Sequence, residues 1–304
     1  MSVAMIPFAE GEAKLDWIGV TEAIAAGHML PRAQVADVFL YRGDDTLLNR
    51  SAWIDGLGLA VKVCTIFPGN VAAGKAAIGG AVNLCSDADG RLEAILDFHL
   101  VTKWKTAGDS LLAARRLARA DSRDILIVGA GTVGRSLLAA YGAVWPGARF
   151  TVWNRTRAGA ERFAAENPGV RIADDLEAAV RRADIVTCAT MSQTPVLRGE
   201  WLRPGTHVDL IGAYTPAMRE ADDAVMRRGR IFCDNRETVM NHIGELMDPL
   251  RDGVIGPGDV VADFYDLSAF SRHDDAEITV FKNGGGAHLD LMVSRWILER
   301  WQGR

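Results

Sequence analysis

The stretch Asp124-Ile-Leu-Ile-Val-Gly-Ala-Gly-Thr-Val-Gly134 decides the fold. A short apolar run ending in Gly129, Gly131 and Gly134 is the pattern by which a β-strand delivers a dinucleotide to the start of a helix. In that pattern Gly129 makes the tight turn and Gly131 lets a pyrophosphate approach bare backbone. Gly134 lets the following helix, Arg135 to Ala143, pack close on its strand. Thr132 and Val133 fall where free helical N–H groups receive the phosphates. The spacing alone is weak, because a glycine-rich turn without a ligand has the same letters. An apolar strand before it and Ser136-Leu-Leu-Ala-Ala-Tyr141 after it favour the nucleotide reading.

Beyond this stretch strands alternate with helices. Ile125–Val128, Phe150–Trp153, Val170–Ile172, Ile185–Thr187, Val208–Ile211 and Ile231–Cys233 are predicted strands, with helices at Glu161–Glu166, Leu176–Ala183 and Asp222–Arg228. That order predicts an α/β fold with a Rossmann-type, doubly wound parallel sheet and helices on both faces. A helix near Asp259–Leu267, a last strand Ile278–Phe281, a Gly284-Gly-Gly286 break and an amphipathic helix from His288 to Trp301 follow. Leu289, Met292, Trp296, Leu298 and Trp301 give that helix an apolar surface to lay on the first domain or on another subunit.

Toward the N-terminus the pattern differs. Leu15 to Gly27 has helical periodicity and ends at glycine. Val38–Tyr41, Thr46–Leu48, Leu59–Phe67, Ala81–Cys85 and Leu92–Leu96 are strand-like and separated by Gly, Pro and Asp turns, and Ala107 to Ala120 reads as a connecting helix. The expected organisation is an α+β substrate-binding and dimerisation domain over residues 1–120 and 284–304, and a dinucleotide-binding domain over 121–283.

The 304 residues are enough for two cores. A net charge of −5 argues against broad nucleic-acid or anionic-membrane binding. Cys64, Cys85, Cys188 and Cys233 are scattered through apolar runs without metal-ligand spacing, as expected of reduced thiols in a cytoplasmic protein with no metal centre. No secretory leader and no membrane-spanning run are read in the sequence.

The second strand of a Rossmann unit that binds NAD ends in a carboxylate for the ribose hydroxyls. Here it ends in Trp153-Asn154-Arg155-Thr156, which offers a cation, an amide and a hydroxyl to a 2′-phosphate. NADP(H) is therefore preferred and NAD(H) stays open. In the other half of the chain, Lys62 interrupts the apolar run Ala60-Val-Lys-Val-Cys64, where an unpaired ammonium is costly, so something anionic should face it. An edge strand guarded by a lysine is the plainer alternative. Arg32 and Lys105 are two more cations which, if they converge with Lys62, would form a carboxylate pocket facing the nicotinamide; solvated surface charge is the plainer reading of both.

Eight strings now point further: Ala60-Val-Lys-Val-Cys-Thr-Ile-Phe-Pro-Gly-Asn70, Val101-Thr-Lys-Trp-Lys-Thr-Ala107, Ile127-Val-Gly-Ala-Gly131, Trp153-Asn-Arg-Thr156, Pro204-Gly-Thr-His207, Ile211-Gly-Ala213, Arg219-Glu220 and Glu277-Ile-Thr-Val-Phe-Lys-Asn283. In order and spacing they resemble the ornithine cyclodeaminase/mu-crystallin family over residues 15–300. The resemblance implies homodimers and a small amino or cyclic imino acid as substrate. It implies that Lys62, Arg32 and Lys105 hold the substrate carboxylate, although Lys105 stands where the family has arginine and lacks its bidentate fork. It also implies that Thr106, the glycine loop, Asn154, Arg155, Thr156, Thr190, Met191, Ile211, Val280 and Asn283 line the cofactor.

One departure separates the family's activities. Cyclodeaminases and their alanine dehydrogenase relatives carry an aspartate after the Gly-Ala or Gly-Gly pair to handle the substrate amine, whereas this chain has Tyr214. Mu-crystallin-like ketimine reductases also lack it. The resemblance therefore implies an NAD(P)H-dependent reductase of Δ1-pyrroline-2-carboxylate or Δ1-piperideine-2-carboxylate, with Lys62 and Tyr214 as candidate catalytic residues. Tyr214 donates a proton or walls the pocket, and the wall is favoured because a phenol gives up its proton reluctantly. The alternatives are an ornithine cyclodeaminase, which would need another residue in place of the absent aspartate, and a non-catalytic NADPH and small-ligand binder of mu-crystallin type. Asp209, Glu220, His207 and His242 read as structural, and Asp222-Asp223 as a helix start.

Overall fold

A computed structural model describes residues 3–304. Its chain contacts divide it into two compact units, Met1–Lys105 with Gly286–Arg304, and Thr106–Gly285.

The first unit is built on a six-stranded sheet in the order β1-β6-β5-β4-β3-β2. The strands are β1 (Ala4–Ile6), β2 (Gln34–Arg42), β3 (Asp45–Ile54), β4 (Gly58–Ile66), β5 (Ile78–Cys85) and β6 (Leu92–Asp97), and α1 (Phe8–Glu12) and α2 (Trp17–Gly27) follow β1. Only β1 and β6 are parallel; the rest is a meander. The two runs Val38–Tyr41 and Thr46–Leu48 are the inner parts of a longer hairpin, because Gly43 at φ +57° permits a two-residue turn between Arg42 and Asp45. Strand β2 is the free edge, and all nine of its residues are exposed. Lys62 lies on β4, flanked by β3 and β5, so the edge-strand reading of this lysine is corrected.

A helix α3 (Phe98–Leu117) follows. It begins nine residues before the expected Ala107, because the Asp97 side chain accepts from Leu100 N at 2.9 Å and caps it directly at the end of β6. The division between units therefore falls inside this helix and not after it, at 120. The last helix, α10 (Ala287–Trp301), belongs to the first unit, where it packs on α2, β3 and β4. Trp104 stands between Trp17, with ring centroids 4.1 Å apart, and Trp296 of α10 at 5.9 Å.

The second unit is α/β. Its elements are β7 (Asp124–Val128), α4 (Thr132–Val144), β8 (Arg149–Trp153), α5 (Arg157–Glu166), β9 (Arg171–Ile172), α6 (Leu176–Val180), β10 (Ile185–Cys188), β11 (His207–Leu210), α7 (Asp223–Arg228), β12 (Arg230–Cys233), α8 (Arg236–His242), α9 (Gly244–Arg251), β13 (Val260–Ala262) and β14 (Thr279–Lys282). The strands form one parallel sheet in the order β13-β12-β14-β11-β10-β7-β8-β9. Side chains of β7 alternate between two cores: Leu126 and Val128 join Val180 and Val225, while Ile127 joins Val152, Ala160 and Phe163. Helices thus cover both faces. The chain leaves β7 at the point where strand order reverses, which is where open α/β sheets hold their ligands.

The expected helix near Asp259–Leu267 is corrected. A 3-10 turn at Pro257–Asp259, strand β13 and a second 3-10 segment at Phe264–Ala269 occupy that stretch. Val260-Val261-Ala262 is too short and too β-branched for a helix, and it pairs with β12 instead. Helices α8 and α9 were not expected; each is under three turns, too short to impose a period on the sequence.

Candidate active site

Each unit presents its own set of functional side chains. In the second unit the peptide after β7 turns at Gly129, whose φ of +114° suits glycine and where a Cβ would meet Ala189 O at 2.6 Å. At Gly134 a Cβ would lie 2.3 Å from Gly129 O, so α4 approaches its own strand more closely than any side chain allows. Gly131 is the N-cap of α4, has open space beside it, and supplies no side-chain cap. The first N–H groups of this thirteen-residue helix, including those of Thr132 and Val133, are left without a side-chain acceptor, and a phosphate suits that end of the helix dipole. These residues fit a dinucleotide pyrophosphate.

Asn154, at the end of β8, braces the loop. Its Oδ1 accepts from Ala130 N at 3.1 Å, and its Nδ2 donates to Thr156 O and Thr156 Oγ1, each at 3.0 Å. The amide is thereby committed to protein contacts. Arg155 and Thr156 are exposed, and Arg155 makes no ion pair among the described residues.

On the other side of β10, Thr190 and the turn after β11 are held by one acid. Glu220, fully buried, accepts from Thr190 N at 2.7 Å and Thr190 Oγ1 at 2.8 Å through one oxygen, and from Gly212 N at 2.6 Å through the other. Glu245 in turn accepts from Glu220 N and Ala221 N. Burial and the neighbouring Glu245 carboxylate push Glu220 up to about 8. The balancing cation is Lys282, itself fully buried, which donates to Leu210 O, Ala213 O and Asn283 O at 3.0, 2.8 and 2.6 Å. Glu220 and Asp209 are thus structural. Asp209, pushed up to about 6 by burial, accepts from Tyr141 Oη of α4 at 2.7 Å and Thr187 Oγ1 at 3.2 Å. His207 is also structural: its ring nitrogen bonds Thr279 Oγ1 at 2.9 Å, and burial holds it neutral with a pKa of about 3. Asp222 caps α7 by accepting from Val225 N.

Other residues expected at the cofactor are spread through this unit. Met191 is 75% exposed and Ile211 is buried at the end of β11. Asn283 donates to Thr106 O at 3.0 Å and Ser110 Oγ at 2.9 Å, tying β14 to α3. Val280 sits within the apolar core, against Gly229. Tyr214 is 61% exposed.

The first unit holds the cation site. Lys62, 5% exposed, donates to Asp290 Oδ1 at 2.9 Å and Thr102 Oγ1 at 2.7 Å and lies 4.6 Å from the Phe98 ring centroid. Lys105 Nζ, also buried, lies 3.6 Å from the same Asp290 oxygen. The anion expected opposite Lys62 is therefore already in the protein. Lys62 and Lys105 thus converge on one buried carboxylate oxygen. Arg32 is exposed, on the segment between α2 and β2. Sequence reasoning missed Asp290 and Thr102; the available signal for Asp290 was a lone carboxylate in the apolar run Leu289-Asp290-Leu291.

Among the described residues no cluster of His, Cys, Asp and Glu could hold a metal ion, and no helix is long and apolar enough to cross a membrane. Residues 53–304 match the model of the ornithine cyclodeaminase/mu-crystallin family. A Δ1-pyrroline-2-carboxylate reductase of Paracoccus denitrificans is 50% identical over 96% of this chain and 95% of its own. Among solved structures, Thermococcus litoralis Δ1-pyrroline-2-carboxylate reductase in complex with NADH and L-proline superposes with a TM-score of 0.90 at 25% identity, covering 99% of this chain and 98% of that one. An archaeal alanine dehydrogenase dimer with bound NAD has a TM-score of 0.89 at 26% identity, covering 100% and 97%.

Proposed function

The chain belongs to the ornithine cyclodeaminase/mu-crystallin family, and on that footing we propose that it is an NAD(P)H-dependent oxidoreductase that reduces cyclic ketimine carboxylates, Δ1-pyrroline-2-carboxylate or Δ1-piperideine-2-carboxylate, to proline or pipecolate. The observation that carries this reading is the buried pair Lys62 and Lys105, two cations converging within one unit and suited to the carboxylate of a small acid. The reductase names of the relatives support the imine as the reacting group.

Lys62, Lys105 and Arg32 bind the substrate carboxylate, and fixing it fixes the adjacent C=N carbon; this is catalysis by positioning. Gly129, Gly131, Gly134, Thr132 and Val133 would hold the dinucleotide, which when bound would supply a hydride, and Asn154 braces their loop. A substrate bound as the N-protonated imine already carries the proton its product amine needs, so no base beside the nitrogen is required. That requirement distinguishes a reductase from an amine-expelling enzyme, and Tyr214, standing where the deaminating relatives have aspartate, agrees with it. Tyr214 walls the site.

We read Arg155 and Thr156 as contacts to a 2′-phosphate, which makes NADP(H) the preferred cofactor. The protein acts as a cytoplasmic homodimer. Its four free cysteines suit a reducing compartment. The free edge strand β2, with Val35, Val38, Phe39, Leu40 and Tyr41 exposed, suits a second copy as its cover.

The test supplies each imine with NADPH or NADH and follows cofactor absorbance, with ammonia release from ornithine measured in parallel. Imine turnover favouring NADPH is expected. Ammonia release from ornithine without turnover of either imine would overturn the reductase reading, and bound nucleotide with no activity at all would favour a binding protein.

A further inference from the structure

The N-terminal ends of the strands in the second unit hold a cavity that the reading above does not use. Its volume of about 350 Å³ lies at the small end of the range for organic ligands, roughly 300–1,000 Å³. Strand parity creates it. Asp124 pairs with Arg149, Leu126 with Thr151 and Thr151 with Arg171, so these five side chains leave the sheet on one face. Helix α6 packs on that face, and Ala179 and Ala183 are too small to fill the space against the sheet. Arg182, in the turn after α6, joins the lining.

Three guanidinium groups and one carboxylate line the cavity. Arg149 takes up that carboxylate, donating to Asp124 Oδ1 at 2.8 Å and to Asp124 Oδ2 at 2.5 Å. The Arg149 hydrogen bond, with smaller contributions from Arg203 and Arg171, holds Asp124 below the usual carboxylate range despite its partial burial. The acids that flank the lining residues along the chain are engaged as well: Glu177 with Arg181 at 2.7 Å, Asp184 with Arg119 and Arg203, and Asp174 with Arg157. Asp175 caps α6 through Ala178 N. The side chains of Arg171 and Arg182 make no hydrogen bond or ion pair among the described residues. A lone surface arginine is satisfied by water, but two that line one cavity are placed to act on one ligand. Each guanidinium offers a planar fork of N–H donors that matches the edge of a phosphate, and a pair of them matches a dianion.

We propose that this cavity binds a small phosphate monoester, with Arg171 and Arg182 on the phosphate and the apolar floor of Leu126, Ile172 and Ala179 beneath its organic body. The cavity opens at the start of β7 and Gly129 follows the end of that strand, about 16 Å away. The site is thus separate from the dinucleotide loop, and the inference does not depend on which substrate the protein reduces.

The test is calorimetric titration of the full chain at a pH of about 7.5, where a phosphate monoester is doubly charged. The probes are phenyl phosphate, inorganic phosphate and benzoate, and the proteins are wild type, Arg171→Ala, Arg182→Ala, the double variant and Arg155→Ala. Wild type is expected to bind one phenyl phosphate per chain with a Kd below about 1 mM. Inorganic phosphate, which lacks the body, and benzoate, which lacks the second charge, should each bind at least about tenfold more weakly. Each single substitution in the cavity should weaken phenyl phosphate about tenfold or more, and the double variant should lose the site, whereas Arg155→Ala should keep it. Arg171 and Arg182 are exposed, so the urea midpoints of these variants should match wild type. No saturable binding to wild type up to about 10 mM would overturn the inference without any variant. So would binding kept in the double variant, or binding lost in Arg155→Ala, which would put the anion at the dinucleotide loop. Inorganic phosphate or benzoate binding as tightly as phenyl phosphate would overturn it too.

Discussion

Replacing Lys282 by methionine tests the electrostatic frame of the second unit. The ammonium makes three hydrogen bonds to carbonyls of Leu210, Ala213 and Asn283. It also lowers the pKa of each of four buried acids, Asp209, Glu220, Asp234 and Glu245, all of which burial pushes up. Methionine fills a similar volume, so the loss is electrostatic. Breaking a buried charge constellation by removing one partner costs about 3–5 kcal/mol, and three orphaned carbonyls place this case toward the upper end. The cost depends on pH. An acid whose folded pKa is raised is accommodated below its unfolded pKa and destabilises increasingly as pH rises toward the folded value. Without Lys282 those folded values rise further, so the penalty is smaller near pH 5.5, where the acids take up protons, and larger near pH 8. Urea unfolding followed by tryptophan fluorescence at both pH values reads this directly, and adding Glu220→Gln to the variant should recover about 1 kcal/mol or more at pH 8. An equal loss at both pH values would refute the assignment of Lys282 as counter-charge.

Burial holds His207 neutral with a pKa of about 3, so it contributes a loss of stability as pH falls below the unfolded value near 6.5. His207→Gln should therefore lose about 3 kcal/mol less than wild type between pH 6.5 and pH 4, measured by urea unfolding. Arg155→Ala should raise KM for NADPH by about tenfold and leave KM for NADH within about twofold, as expected for loss of one exposed phosphate contact; equal effects on both cofactors would remove this residue from the 2′-phosphate site.

The features legible in the sequence were those with a local cause. The β7 strand, glycine loop and α4 announce themselves within eleven residues, because turn, phosphate approach and helix packing each demand glycine at fixed spacing. Lys62 was legible as a charge in an apolar strand, and the need for an anion followed from solvation alone. The identity of that anion was not, because Asp290 lies 228 residues away on α10 and reaches Lys62 only through the packing of that helix on β4. Glu220, Glu245 and Lys282 read as separate polar residues for the same reason. The β13 segment was misread because three apolar residues carry no period, and the partner strand that decides their conformation lies elsewhere.

Asn154 and Arg155 are neighbours at the end of β8 but are held very differently, the first by its contacts and the second exposed. The amide of Asn154 is fully engaged in holding Ala130 and Thr156, and Gly159 leaves it no slack, since a Cβ there would come within 2.4 Å of Nδ2. The substitution Asn154→Asp would keep the acceptor for Ala130 N and lose both donations to Thr156. Redesign of nucleotide preference by installing an acid at the strand tip would therefore distort the loop when made at 154 and leave it intact when made at 155. Side by side on one strand end, then, one residue is pinned by its neighbours while the adjacent one can change its charge without disturbing the loop.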